Sequence, residues 1–586
     1  MPADRRRSGE SPEHQHDERD AAGEAIQDRV RVGWRGDSGC PGFWSERILP
    51  PRGIDVRRLW VDISNLSRRR LLPVFALGFT TVFPVAHAWG QAHDASKVQF
   101  VEHSPAVFDA AQRDGKPVFL FISAVWCYWC KYFEQQVLAD AEVSQYLNRH
   151  YLNVFAEHDR RPDLVRKYVR GLPMIVLFGP EGRVRQSFAG VLKKEDFLAV
   201  VKHAATLPPP ATDTRPGAAP GPAPVTWDTY QRLRDDLLRF IAEHLDTVYG
   251  GFGAGDKYPQ PRLLAYLLEL HQATGDRRYL VAVEKSLDGI LGALYDRVDG
   301  GFFRFAEGRE WRQPHYEKLL HLNAALAALL GEAHRVTGNP RYREAAERTT
   351  AYLLRNLYDA TAGGFYSSQS ADPAYYRLPP LERRAARQPP VNRDKVTAWN
   401  AEAAVAMLAL SQSSGRKDLR DVALRTLEFI RANLIGEKGA FHLYEHRTGR
   451  RHGEGQVDAN AWTALGLLEG YRVAPTKGHL EAAEQVLRFA VHELFDATRG
   501  AFSEDKSSPL LLDANGVMAQ ALFRAQVGGR AEHLDVARRV LATFGGVARV
   551  QLSESEDAVA RAPDAVYYLR AYAQMLAKIP GGEPRR

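Results

Sequence analysis

Cysteine is scarce. Cys40, Cys127 and Cys130 are the only three in 586 residues. That is too few for a disulfide framework, and a chain this long can bury sizeable cores without one. Excess charge of one sign is slight. The formal net charge is +7. Much of the positive charge sits in the first 70 residues, at Arg5, Arg6, Arg7, Arg57, Arg58, Arg68, Arg69 and Arg70. No long basic stripe follows, so a nucleic-acid binder is not expected. A second pair of metal ligands is also lacking beside Cys127 and Cys130. Only His158 and Asp159 offer themselves, and neither a metal nor a cofactor is expected. What remains is ordinary for a soluble chain, with 45% apolar and 25% charged residues. Its length predicts two or more domains.

Residues 1–66 read as a disordered basic segment, charged and rich in turn formers. Ser67-Arg68-Arg69-Arg70 then leads into the apolar run Leu71–Phe79, and Ala86-His87-Ala88 closes it. A basic start, an apolar centre and a small-x-small end predict an export signal over residues 67–88, or a membrane anchor if it is not cleaved. No methionine lies between Met1 and Met174, so a translation start near the signal would need a non-Met codon. Cleavage after Ala88 would remove Cys40 and leave both cysteines in one motif, in a periplasmic protein. Without a signal there the chain would be cytoplasmic.

Residues 95–206 form the first expected domain. The apolar run Pro117–Ile122 predicts a buried strand. It turns through Trp126 into Cys127-Tyr128-Trp129-Cys130-Lys131, which opens a helix. A helix near 142–148, a strand at 152–155, a short helix from Pro162, a strand at 174–178, a turn at Gly179-Pro180-Glu181-Gly182 and a helix from Lys194 follow. That is the thioredoxin order. A helix N-terminus favours an anion, and the thiolate is the nucleophile. Cys127 is therefore expected to attack, and Cys130, one turn on, to resolve the mixed disulfide. Trp126, Tyr128 and Trp129 are candidates for a docking surface. Pro173 is expected, from the likeness to thioredoxins, to be the cis-proline flanking the pair. Phe121 stands where typical thioredoxins carry a buried aspartate, six residues before the first cysteine, so the usual proton acceptor for the resolving thiol is absent.

Residues 207–226 are rich in Pro, Ala and Gly and predict an extended linker. Twelve helical stretches follow over 227–580, marked by a repeat. Asp246-x-x-x-Gly250-Gly251-Phe252 recurs at Asp296–Phe302 and Asp359–Phe365, and as Asp496–Phe502 with alanine for the second glycine. Repeats of this spacing indicate paired supersecondary units. Six hairpins predict an all-α (α/α)6 toroid barrel with loops around one mouth. The loops hold candidate site residues at expected helix starts: His315, Glu317 and Lys318, and Asp394, Lys395 and Trp399, with Asp458, Trp311 and Tyr316 in reserve.

Gly250–Pro261, Gly300–Leu320 and Asp394–Asn400, joined to a Cys-x-Trp-Cys domain, resemble the spermatogenesis-associated protein 20-like family. Its members join a thioredoxin-like domain to a six-hairpin barrel similar to N-acylglucosamine 2-epimerase. Glu157-x-x-Arg160-Arg161-Pro162-Asp163-Leu164 resembles the family's acidic-Arg-Pro-Asp segment. Two departures stand out. The segment before the cis-proline is shortened to Arg170-Gly171-Leu172-Pro173, and Ser367–Asp372 replaces an acidic loop. The resemblance implies the architecture more than an activity.

Three functions are therefore expected to compete. The first is an exported thiol–disulfide oxidoreductase acting on protein thiols and disulfides, supplied by a reducing partner, with the barrel positioning substrate. The second is a carbohydrate-active barrel with an attached redox module, using His315, Glu317 and Asp394 for acid–base work and aromatic rings for stacking. The third is a binding scaffold. Contact with a membrane is expected only through an uncleaved signal.

Overall fold

The computed structural model describes residues 96–208, 221–505, 508–525, 531–553 and 562–577. The basic segment 1–66, the signal at 67–88, Cys40 and most of the 207–226 linker lie outside these.

The first part is a five-stranded sheet in the order β1-β3-β2-β4-β5. Its strands are β1 (Phe100–Glu102), β2 (Val118–Ser123), β3 (Leu152–Glu157), β4 (Met174–Phe178) and β5 (Val184–Ala189). β1, β3 and β2 run parallel, and β4 and β5 pair antiparallel beyond β2. Every residue of β2 is buried, as a central strand covered on both faces requires. Helices α1 (Pro105–Asp114), α2 (Tyr128–Phe133), α3 (Ala141–His150), α4 (Pro162–Tyr168) and α5 (Lys194–Ala204) cover the sheet. One apolar layer gathers Phe119, Phe121, Phe133 and Phe197, and the other Val118, Leu120, Ile122 and Val176. This is the thioredoxin-like fold.

The second part is a helical barrel. Its helices are α6 (Trp227–His244), α7 (Pro261–Thr274), α8 (Arg277–Ala293), α9 (Leu320–Thr337) and α10 (Pro340–Tyr352), then the short α11 (Pro373–Tyr376) and α12 (Pro380–Ala385). They continue with α13 (Thr397–Ser414), α14 (Lys417–Asn433), α15 (Val457–Val473), α16 (Lys477–Phe489), α17 (Leu512–Arg524), α18 (Ala531–Ser553) and α19 (Asp564–Leu576). Helices α7, α9, α13, α15, α17 and α19 pack side by side in a closed inner ring, with α6, α8, α10, α14, α16 and α18 outside it. The ring assignment explains composition. The inner α13 and α15 are buried almost all round, whereas the outer α14 and α16 bury one stripe.

Each Asp-x-x-x-Gly-Gly-Phe repeat ends an outer helix with the same turn. The Oδ1 atoms of Asp296 and Asp359 each accept two backbone N–H groups, two and three residues on. Gly300 and Gly301 have φ of 81° and 80°, which favours glycine. A Cβ at Gly301 would also sit 2.8 Å from the Tyr352 ring. An inner-helix asparagine then ties the phenylalanine backbone: Asn323 Oδ1 accepts from Phe302 N, and Asn400 Oδ1 from Phe365 N, both at 2.6 Å.

The helix expected from His315 begins instead at Leu320. Before it lie β6 (Phe305–Glu307), β7 (Gln313–His315) and β8 (Lys318–Leu319). β6 and β7 pair antiparallel, with Phe305 opposite His315. Pro314 sits inside that hairpin, and His315, Glu317 and Lys318 are therefore on extended chain rather than at a helix start. The barrel is accordingly not purely helical: short strands stiffen its loops.

Candidate functional site

Cys127 is the N-cap of α2, and its Sγ accepts the backbone N–H of Cys130 at 3.3 Å. Both are free thiols. The Leu172–Pro173 bond is cis, and Leu172 packs against the cysteines. The pair is not open to solvent: Cys127 is 2% exposed and Cys130 wholly buried. Leu319 of the barrel lies in the same apolar cluster, with Ala124 and Trp126.

This enclosure reverses one expectation. The helix N-terminus should favour a Cys127 thiolate, yet the thiol is pushed well above the ordinary cysteine range, first by burial, then by its hydrogen bond and charge coupling with Cys130, and then by the Glu317 carboxylate. Desolvation outweighs the helix dipole. Lys131, the residue after Cys130, donates to Ser370 Oγ of the barrel at 3.4 Å. Burial pulls its ammonium down, against the pull of Cys127, Cys130, Glu134 and Glu317.

Glu317 crosses from the barrel to the thioredoxin-like motif. It is 1% exposed. Its Oε1 lies 3.5 Å from the N–H of Tyr128, and its Oε2 is buried with no hydrogen-bond partner among the described residues. Leaving such an oxygen unsatisfied costs about 1–3 kcal/mol or more.

Trp126 is no surface. It is 1% exposed, its indole N–H points at the Asp159 carboxylate at 3.1–3.2 Å, and the Arg304 guanidinium lies 4.8 Å over its ring. Tyr128 and Trp129 do face space: with His315, Tyr316, Glu317 and Arg377 they line a cavity of about 120 Å³ at the seam. His158 pairs with Asp159 at 2.9 Å. Among the described residues no group of three or more His, Cys, Asp or Glu is placed to hold a metal.

The remaining barrel candidates do not converge on one site. His315 stacks on Phe305 and contacts Glu307 Oε1 at 2.9 Å. Lys318 and Lys395 are fully buried beneath the repeat turns. Lys318 Nζ donates to Asp296 and the Gly300 carbonyl, both at 2.6 Å, and Lys395 Nζ to Asp359 at 2.9 Å and the Gly363 carbonyl at 2.7 Å. Burial pulls Lys318 down to about 8 against the charge of Asp296. Asp394 accepts from Arg160 of the thioredoxin-like part at 2.9 Å, and Glu445 receives the same guanidinium at 3.3 Å. Asp458 lies 3.8 Å from Arg166. Trp311 is buried and donates to the Tyr249 carbonyl, so its ring is not free to stack on a ligand. Trp399 lies 4.3 Å from the His321 ring.

His321 was missed, as were Arg262 and Glu402. Arg262 forks onto Glu402 at 3.0–3.2 Å under the Tyr567 ring. Arg262, Glu402, Tyr567 and Trp462 line a cavity of about 690 Å³ inside the inner ring. Registering the helices on their repeats places Arg262, His321 and Trp399 in the first turns of α7, α9 and α13, and that register was the available signal. Burial, then the charge of Arg262, lowers His321 to about 3. The sign follows directly. An unfolded chain protonates this histidine below about pH 6.5 and the folded one does not. Stability is therefore lost progressively as the pH falls from about 6.5 toward 3, by about 2 kcal/mol at pH 5. Urea unfolding at pH 7 and pH 5 should show this loss, and His321→Gln should flatten it.

The thioredoxin-like part carries the match to a family model, Thioredox_DsbH, "Protein of unknown function, DUF255", over residues 86–180. The chain also aligns with spermatogenesis-associated protein 20 of Mus musculus, 26% identical over 317 residues. The two are homologous. The alignment takes in 48% of this chain and 39% of the mouse protein, so the chain spans about two fifths of that relative. A 76-residue stretch, 12% of this chain, is 38% identical to the thiol:disulfide interchange protein DsbD of Yersinia pestis, covering 13% of it. Among solved structures, cellobiose 2-epimerase from Spirochaeta thermophila superposes with a TM-score of 0.48 at 17% identity, covering 60% of this chain and 99% of that one.

Proposed function

We propose that the protein is a thiol–disulfide oxidoreductase, exported through its basic-apolar leader, whose barrel loops select what reaches the dithiol. The observation that carries this reading is the pair of free thiols at the start of α2, with the Cys130 N–H on Cys127 Sγ. The stretch similar to the thiol:disulfide interchange protein DsbD supports it. Cys127 attacks a substrate disulfide and Cys130 resolves the intermediate, leaving the pair oxidised until a reducing partner restores it. The test is reduction of insulin disulfides with dithiothreitol as electron donor. Turnover above the uncatalysed rate that vanishes in Cys127→Ser supports the reading; equal rates in both proteins contradict it.

A second reading rests on the cavity of about 690 Å³ inside the barrel. Its Arg262–Glu402 pair and the Trp462 face suit a hydroxyl-rich ring such as a carbohydrate. Calorimetric titration with a panel of disaccharides decides it: heat that disappears in Arg262→Met supports a sugar site, and no heat from any sugar removes it.

A further inference from the structure

Three features of the seam have no role in the exchange as described above. Glu317 is almost fully buried, and its Oε2 has no hydrogen-bond partner among the described residues. Its other oxygen rests on the N–H of the residue that follows Cys127. The thioredoxin-like core has no carboxylate on β2, because Phe121 fills that position and is packed among Phe100, Phe133 and Phe155.

We infer that Glu317, a barrel residue, is the group that takes the proton of the attacking thiol, a task separate from that of the aspartate missing at Phe121, which would serve the resolving thiol. The inference rests on the oxidoreductase reading. As Cys127 Sγ attacks a substrate disulfide R–S–S–R′, the thiol proton passes to Glu317 Oε2. The Cys127–S–R bond forms, the substrate S–S bond breaks, and the leaving R′–S⁻ takes the proton back from Glu317. Cys130 then attacks Cys127 Sγ, the internal disulfide forms, and R–SH departs with the Cys130 proton. The dithiol loses two electrons, the substrate disulfide gains them, and the carboxylate ends as it began.

The surroundings fit this role. Glu317 lines the cavity of about 120 Å³ together with Tyr128 and Trp129, the two residues between the cysteines. Lys131 on α2 feels the charge of Glu317 as well as that of both cysteines. His315 and Arg377 face the same cavity from the barrel. Other buried carboxylates near the motif have donors of their own: Glu134, one turn beyond Cys130, takes a hydrogen bond from Ser123 Oγ at 3.4 Å, Glu157 one from Val125 N at 3.5 Å, and Asp159 one from the Trp126 indole.

Glu317→Gln keeps the size and the contact to Tyr128 N–H but cannot accept the proton. Two readouts are compared in the full chain across pH 5–10: insulin reduction, and alkylation of Cys127 by iodoacetamide in the Cys130→Ser background. Glu317→Gln should lower turnover by roughly 10²-fold at neutral pH and abolish the carboxylate limb of the pH profile. It should leave alkylation equal or faster, because a negative neighbour has gone. Glu317→Asp should restore part of the turnover. A merely structural role would slow both readouts together or neither, and either result overturns the inference. So would unchanged turnover in Glu317→Gln with loss in Glu134→Gln. If the wild-type protein reduces no insulin above background, the oxidoreductase reading fails first, which separates the two failures.

Discussion

Lys395→Met destabilises the barrel by about 3–5 kcal/mol, the loss expected when one partner of a buried ion pair is removed. Lys395 is wholly buried, and its ammonium joins Asp359 to the Gly363 carbonyl beneath the third repeat turn. Methionine fills the same volume and donates nothing, so the Asp359 carboxylate keeps only its bonds to the Thr361 and Ala362 N–H groups and neighbouring side-chain contacts. Thermal unfolding measures the effect as a lowered midpoint. The same variant, kept below its own transition, retains wild-type insulin reduction, because Lys395 lies under the turn and not at the dithiol. Loss of turnover without a change in unfolding would instead put Lys395 in the chemistry.

Iodoacetamide reacts with Cys127 at pH 8 roughly tenfold or more slowly than with an ordinary cysteine, whose pKa lies near 8.5, and the rate is still climbing above pH 9. Only the thiolate reacts, and burial, Cys130 and Glu317 together hold Cys127 as the thiol. The direction is fixed: a raised pKa means less thiolate at any pH below it. Mass spectrometry of the peptide carrying Cys127 follows the reaction in native buffer and in urea. The urea sample should show the ordinary rate, because unfolding removes both the desolvation and the barrel carboxylate. Fast reaction of the native protein at neutral pH would mean that the site is open and the thiolate stabilised.

The contrast between these two residues shows where sequence reasoning carried and where it stopped. The Cys127–Cys130 pair and the strand before it were legible because the motif is local, with four residues setting both cysteines on one helix turn. The repeat turns were legible for the same reason, since Asp296, Gly300, Gly301 and Phe302 build one turn among themselves. The partners of those turns were not. Lys318 finds Asp296 across 22 residues and Lys395 finds Asp359 across 36, so each lysine read alone looked like a loop charge free for chemistry. The seam was further out of reach. Tyr128 and Glu317 are 189 positions apart, and nothing in either segment announces that the barrel covers the dithiol. Trp126 was therefore expected on a surface and is found under Arg304 and against Asp159. The helix expected from His315 failed on a local signal: Pro314 sits in a strand that pairs with Phe305–Glu307, and a short hairpin of this kind carries little periodicity to read.

One experiment tests the oxidoreductase account most directly. The full chain with Cys130→Ser is expressed in its native host, and proteins bound to it are resolved on non-reducing gels and identified by mass spectrometry. Without the resolving thiol, an exchange intermediate cannot be released and remains as a mixed disulfide on Cys127. The account predicts a discrete set of adducts that reducing agent dissolves and that Cys127→Ser abolishes. An absence of adducts, with Cys127 in the same preparation shown to be free and to alkylate at high pH, would contradict it.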